Sequence, residues 1–283
     1  MIATFCLRLS LGMLTSLVLL SSKQMHPRFF RTQLLTVLGL CVVAALLGWT
    51  TATEAKLTAR LGDGMNWSQE LPEFYYRRLA LVVAPVLAFV GSLIWMLERP
   101  RGGWVVITLT ALAILAALFL EDHILTPKNV PAEFLIQQGT FHYSALRIPD
   151  DLTSAALLGF GMTAMLVGHS YLIAPGLTIK PLMRQLAALG VALILRVAVA
   201  GVALWFWTAD HNLTNLNDET VLWLPVRWLI GLVGPLVFGW LAYQTARIRS
   251  TQSATGILYV VVILTFLGEL TSLLLLRNTG LPL

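Results

Sequence analysis

The stretch Leu186–Trp207 reads LAALGVALILRVAVAGVALWFW and contains one charged residue, Arg196. A bilayer core of about 30 Å is crossed by about 20 apolar residues in an α-helix, because each residue rises about 1.5 Å. This stretch has the required length and contains no proline. It therefore predicts a transmembrane helix with a charge near its middle.

Seven other stretches have a similar length and composition, and none alternates in polarity as the short strands of a membrane barrel do. We therefore predict an all-α integral membrane protein with about eight transmembrane helices. The other predicted spans are Ile2–Leu20, Leu34–Ala52, Leu79–Leu97, Trp104–Leu120, Leu152–Ile173, Val226–Tyr243 and Gly256–Leu276.

The composition of the chain agrees with this fold class. Hydrophobic residues make up 57% of the 283 residues, charged residues make up 12%, and the mean hydropathy is +0.79. A soluble protein has about 25% charged residues, because water must solvate its surface. The net charge of +5 is explained by basic cytoplasmic loops. We therefore expect membrane lipids, and not nucleic acid, to surround the chain.

Charged residues in the loops predict the orientation. Basic residues in short loops remain in the cytoplasm. They follow the first, third, fifth and seventh spans, whereas most acidic residues follow the second, fourth and sixth. We expect a multi-pass protein of the cell membrane with both termini outside the cytoplasm. The acidic residues assigned to the outer loops are Glu54, Asp63, Glu70, Glu73, Asp122, Glu133, Asp150, Asp151, Asp210, Asp218 and Glu219.

The chain resembles itself at an offset of four spans. Gly12–Ser21 and Gly161–Ser170 share glycine, methionine, leucine, valine and serine at corresponding positions without a gap. Each segment is followed by a proline, and then by a basic residue before a Gln-Leu pair at residues 33–34 and 185–186. An offset of four spans preserves the direction of crossing, so the predicted repeat is parallel.

This repeat predicts the domain organisation. Residues 1–125 form the first four-span repeat, residues 126–151 form an extracytoplasmic connecting loop, and residues 152–283 form the second repeat. The expected architecture is two four-helix bundles side by side, with a crevice where they meet.

Three ionisable side chains are candidates for function because they lie within predicted spans: Arg196, Arg227 and Glu269. A charge at membrane depth costs several kcal/mol unless it is paired or hydrated. An ion pair between Glu269 and either arginine would reduce this cost. Two interpretations remain open: a structural pin between helices, or groups that handle protons or substrate.

His169 is the one histidine clearly inside a predicted span, and Ser170 and Tyr171 follow it. A haem with two histidine ligands needs a second histidine at similar depth, so we expect no intrinsic haem. A quinone needs only one or two hydrogen-bond partners, so these three residues are the candidate quinone site. The alternative for His169 is a packing role.

The predicted architecture resembles the quinol-interacting membrane subunits of respiratory complexes. This resemblance implies a quinone- or proton-handling membrane subunit of an electron-transfer complex, with quinone as cofactor and other subunits as partners. The alternative is a small-solute or ion transporter with its site between the repeats. Pro85 and Pro235 favour it, because interrupted helices in corresponding positions often mark transport sites.

A membrane enzyme is the third hypothesis. It would draw its catalytic groups from the long outer loop, which contains Glu121, Asp122, His123 and His142. We expect a non-catalytic subunit or a transporter rather than a stand-alone enzyme.

Overall fold

The computed structural model describes residues 1–20, 22, 24–49, 72–124, 140–173, 178–210 and 218–279. All regular structure in these ranges is helical. The helices are α1 (Ile2–Leu17), α2 (Pro27–Leu47), α3 (Pro72–Met96), α4 (Pro100–Ile124), α5 (Thr140–Ile173), α6 (Lys180–Asp210), α7 (Asp218–Pro225), a π-helix (Val226–Val233), α8 (Gly234–Arg247) and α9 (Thr251–Thr279).

The predicted fold class is confirmed. Seven helical stretches are long and apolar enough to cross a membrane, and α1 is a shorter apolar helix. The seventh span is built from three consecutive elements, namely α7, the π-helix and α8. Many of the large apolar side chains on these helices are exposed in the isolated chain, as expected for surfaces that contact lipid.

Helices α1–α4 form one set of contacts and helices α5–α9 a second, although α1 contacts α5 more extensively than it contacts any helix of the first set. In the first, α1 contacts α2 and α4, and α3 contacts α2 and α4. In the second, α5 contacts α6 and α9, while α8 contacts the same two helices. The two groups meet mainly where α1 packs against α5. Any polar group on the facing sides of these two helices therefore lies between the halves.

Helices α1 and α5 run in the same direction. Arg8 near the middle of α1 contacts Asp151, and Ser16 near its end contacts Thr163, which lies later along α5. Between them, Gly12 lies against the backbone of α5: a Cβ atom added to Gly12 would be 1.7 Å from the Ala155 carbonyl oxygen. The contacts advance along both helices together, so α1 and α5 are parallel and very close.

The structure corrects the predicted start of the fifth span. Asp150 and Asp151 were assigned to the outer connecting loop, but both lie within α5 and are buried. The apolar sequence begins only at Leu152, although the helix extends back to Thr140 and continues through Pro149. The hydropathy pattern marks the apolar part of a helix and misses a turn whose charges are paired inside the protein.

The two prolines that were compared in the sequence have different effects. Helix α3 is continuous through Pro85. Pro235 instead lies in the first turn of α8, directly after the π-helix. The backbone before Pro235 is helical at Val233 and Gly234, so the missing N–H of the proline leaves a carbonyl of the preceding π-helix without its helical donor. The two spans are therefore not interrupted in the same way.

The orientation predicted from the loop charges is testable by thiol labelling. Gln252 at the start of α9 and Thr208 at the end of α6 are both exposed, whereas native Cys6 and Cys41 are buried. We expect a membrane-impermeant maleimide to label Gln252→Cys in inside-out vesicles and Thr208→Cys in right-side-out vesicles. The wild-type protein is the unlabelled control. The reverse pattern would show that the termini are cytoplasmic.

Candidate functional site

Six buried charged side chains form one continuous chain of ion pairs inside the membrane-spanning part of the protein. The order of contact is Asp151, Arg8, Asp150, Arg196, Glu269 and Arg227, so negative and positive groups alternate. The three carboxylates and three guanidinium groups have a formal sum of zero. This alternation reduces the desolvation cost of charges in a low-dielectric environment.

The first part of this ion chain joins the two halves of the protein. Arg8 is on α1, and its Nε donates to Asp151 Oδ1 at 2.5 Å. Its Nη2 donates to Asp150 Oδ2 at 2.5 Å. Both aspartates are on α5, so Arg8 is the contribution of the first half to a cluster otherwise built by the second half.

Glu269 on α9 is the most connected carboxylate of the cluster. Arg196 on α6 donates to it twice, from Nε to Oε1 at 2.8 Å and from Nη2 to Oε2 at 2.9 Å. Arg227 Nη1 donates to Oε1 at 3.1 Å, and the Ser154 hydroxyl donates to Oε2 at 2.5 Å. The double contact with Arg196 is the bidentate geometry that fixes a guanidinium group most firmly.

Arg196 connects Glu269 to Asp150. Its Nη1 donates to Asp150 Oδ1, and its Nη2 also contacts the Ser272 hydroxyl at 3.2 Å. Arg196 is fully buried, and so are Arg227 and Glu269. All donor nitrogens of Arg196 therefore have acceptors within the cluster.

Close backbone contacts allow these side chains to meet. Gly231 in the π-helix lies against Gly268 of α9: a Cβ atom on Gly231 would be 2.4 Å from the Gly268 Cα. Gly268 directly precedes Glu269, and Arg227 lies four residues before Gly231. The glycine pair thus brings the π-helix and α9 close enough for the ion pair between Arg227 and Glu269.

The segment that carries Arg227 is a π-helix, whose backbone hydrogen bonds join residues five apart. Arg227 lies in its first turn, after Pro225, and is fully buried. Segments of this kind are rare and occur frequently at functional sites.

The candidate quinone residues do not converge on one point. His169 is exposed, and the Ser170 hydroxyl donates to the Leu166 carbonyl of its own helix at 2.9 Å. The Tyr171 hydroxyl donates to the carbonyl of Thr178. Three consecutive residues in a helix point about 100° apart, so they cannot all face one ligand. A quinone role for these residues stays a prediction.

The sequence indicated half of the ionic cluster. Arg196, Arg227 and Glu269 stood out as charges inside apolar spans, and Glu269 pairs with both arginines that were offered as its partners. Arg8 and the two aspartates were missed. Arg8 is the lone charge early in the first span, which was the available signal, but its partners lie 142 and 143 positions away. The side chains of Glu121, Asp122, His123 and His142 lie outside the described residues.

Comparisons of this chain with protein-family models, with curated proteins and with solved structures found no match.

Proposed function

We propose that this protein moves protons across the membrane, with the ion chain from Asp151 to Arg227 as the site where protons bind and leave. The observation that supports this proposal is the alternating set of six buried charges, contributed by both halves of the protein. Chains of ionisable groups at membrane depth are typical of proton relays in pumps and transporters.

A structural role alone is a weaker explanation for so many charges. Replacing a buried ion network by apolar residues of similar volume is often neutral or stabilising, because desolvation opposes the Coulomb attraction. Helices in lipid are also joined effectively by small residues. This protein already has such contacts at Gly12 with Gly159 and at Gly231 with Gly268. Holding the helices together therefore does not by itself explain the buried charges.

The geometry favours a proton over other transported species. The contacts from Arg8 to the aspartates and from both arginines to Glu269 are 2.5–3.1 Å long, which leaves no room for a hydrated ion between the paired atoms. The formal sum of zero offers no net attraction to an added anion or cation. A proton needs no such space, because it binds covalently to a carboxylate oxygen.

Protonation would also change the contact between the two halves. A protonated Asp150 or Asp151 has no negative charge to hold Arg8, although it retains hydrogen-bonding capacity. Because Arg8 is on α1 and the aspartates are on α5, the strength of the contact between halves depends on the proton. A membrane protein can use this dependence to alternate access between its two sides.

We also infer that the two halves arose by duplication and that the axis relating them follows the membrane normal. Each half is a group of four helices, and α1 packs parallel to α5 as a symmetric arrangement requires. The turns before α4 and α9 both contain a non-glycine residue with positive φ, Glu98 at 54° and Arg249 at 60°. These features support the sequence similarity between the halves.

Membership of an electron-transfer complex remains compatible with proton movement, but the geometry supports it less. Its quinone site was assigned to residues that do not converge, whereas the ion chain supports the transporter hypothesis directly. We therefore favour a proton transporter in a cell membrane, surrounded by lipid.

The experiment is proton flux into liposomes that contain the purified protein and a trapped pH-sensitive dye. With a potassium gradient and valinomycin as driving force, we expect wild-type flux well above that of empty liposomes. Glu269→Gln should reduce it by about a hundredfold or more, the scale of losing a positioned proton-transfer group. Glu98→Gln removes an exposed carboxylate and is the matched control. No wild-type flux above empty liposomes would overturn the proposal.

A further inference from the structure

Polar and small residues form a continuous stripe where α1 faces α5. On α1, Arg8, Gly12 and Ser16 are spaced four residues apart. Arg8 contacts Asp151 and Ser16 contacts Thr163. On α5 these two partners are twelve residues apart, which is three intervals of four. Residues four apart lie on the same side of a helix. The stripe is therefore ionic at one end, glycine in the middle and hydroxyl at the other end.

The hydroxyl end is a second buried polar cluster between the halves. The Ser16 hydroxyl lies 2.5 Å from the Thr163 hydroxyl and donates to the Met13 carbonyl at 2.6 Å. Gln185 of α6 donates from Nε2 to the Ser16 carbonyl at 2.8 Å. Ser16, Thr163 and Gln185 are all fully buried. This cluster lies about 12 Å along α1 from Arg8, since eight residues of helix separate Arg8 from Ser16.

One side-chain amide oxygen of this cluster lacks a hydrogen-bond donor among the described residues. Gln185 Oε1 is buried and has no hydrogen-bond partner among the residues that the structure describes. A buried amide oxygen without a donor is unfavourable, so such groups normally bind water when no protein donor is near. The Ser16 and Thr163 hydroxyls of the same cluster can both donate and accept a hydrogen bond, which is the requirement for passing a proton.

Gly12 and Gly159 separate the two polar clusters. A Cβ atom on Gly159 would be 1.8 Å from the Gly12 carbonyl carbon, so the two backbones are in direct contact and exclude water between them. This contact is the barrier between the ionic cluster and the hydroxyl cluster. Arg8 and Gly12 lie on the same side of α1, facing α5. Release of Arg8 from the aspartates would therefore loosen the Gly12–Gly159 contact as well.

We propose that protons cross along the contact between α1 and α5, with Ser16, Thr163 and Gln185 as hydrogen-bonding groups that hold the water through which the proton passes. This inference depends on the proposed function. A proton released from the aspartates of the ionic cluster passes the Gly12–Gly159 contact when the halves separate. It is then received by water held at the hydroxyl and amide groups.

Thr163→Val tests the route because it removes the hydroxyl and preserves the shape of the side chain. We expect proton flux in the liposome assay to fall at least about tenfold, since proton transfer depends on each positioned group. Thr163→Ser should restore most of it. Thr110→Val is the matched control: Thr110 is buried in α4, and its hydroxyl donates to the Val106 carbonyl of its own helix.

A second variant protects the test against a folding defect. Gln185→Leu should also lower the flux, and both variants should keep the wild-type melting temperature within a few degrees. If Thr163→Val and Gln185→Leu conduct like the wild type while Glu269→Gln does not, the route is wrong and the proposed function stands. If the wild type conducts no protons, both proposals fail.

Discussion

Glu269→Gln is expected to lower the free energy of unfolding by about 3–5 kcal/mol, the range found when one partner of a buried ion pair is removed. Glu269 accepts hydrogen bonds from Arg196 and Arg227, which are both fully buried. Its neutralisation leaves these guanidinium groups with one carboxylate fewer in a low-dielectric environment. The measurement is denaturant unfolding of the purified protein in detergent, followed by circular dichroism.

A neutral double variant separates the loss of charge balance from the loss of Glu269 itself. In Glu269→Gln combined with Arg227→Gln, the remaining four charges are two arginines and two aspartates in the same alternating order. We expect the free energy of unfolding of the double variant to be at least about 1 kcal/mol higher than that of the single variant. The reason is that the stability effects of substitutions at contacting residues do not add. Its proton flux should remain low.

Glu98→Gln is the control for this prediction. Glu98 is exposed in the turn before α4, and surface substitutions usually change stability by less than about 0.5 kcal/mol. Equal stabilities for Glu269→Gln and Glu98→Gln would mean that Glu269 does not hold the arginines as described. If the double variant regained both stability and proton flux, Glu269 and Arg227 would have a structural role only.

The fold was predictable because lipid imposes a simple requirement on the sequence. Every backbone group that spans the membrane must bond within its own helix, so each span appears as an apolar stretch of fixed length. The stretch around Arg196 and six others met that requirement, and α1 is a shorter apolar helix. Helix ends are less predictable, because the first turns of α5 combine charged and apolar residues.

The candidate site was only partly predictable, for two physical reasons. A charge inside an apolar span is visible in the sequence, which identified Arg196, Arg227 and Glu269. The identity of its partners depends on which helices are neighbours, and α1 meets α5 across more than 140 positions of sequence. The π-helix around Arg227 was also hidden, because it differs from an α-helix in register and not in composition.

The candidate quinone residues show how adjacency in sequence differs from adjacency in space. His169, Ser170 and Tyr171 were grouped because they are adjacent in sequence and have suitable chemistry. Adjacent helical residues point in different directions, whereas residues four apart share a face. The spacing of Arg8, Gly12 and Ser16 was therefore the more informative pattern.

Gly159→Ala is expected to destabilise the protein strongly, because a Cβ atom at this position would lie 1.8 Å from the Gly12 carbonyl carbon and 2.2 Å from its oxygen. Backbone atoms cannot rotate away as the end of a side chain can, so α1 and α5 must separate. We expect a loss of several kcal/mol, comparable to the larger overpacking penalties. The measurement is the folded yield in detergent, followed by thermal unfolding.

Gly190→Ala in α6 is the matched control, since a Cβ atom there meets nothing within 4 Å. Removing a glycine from a helix interior is favourable by about 0.5–1 kcal/mol, so this variant should be at least as stable as the wild type. If Gly159→Ala behaved like Gly190→Ala, the backbones of α1 and α5 would not be in contact at this position.

The same substitution connects packing to the ionic cluster. Arg8 lies one helical turn before Gly12, and its bonds to Asp150 and Asp151 are 2.5 Å long. A separation of the helices by even 1 Å or so would weaken these charge-assisted bonds, because they depend on short distances. Any Gly159→Ala protein that folds should therefore also lose proton flux. Retained flux would show that protons do not depend on the contact between the halves.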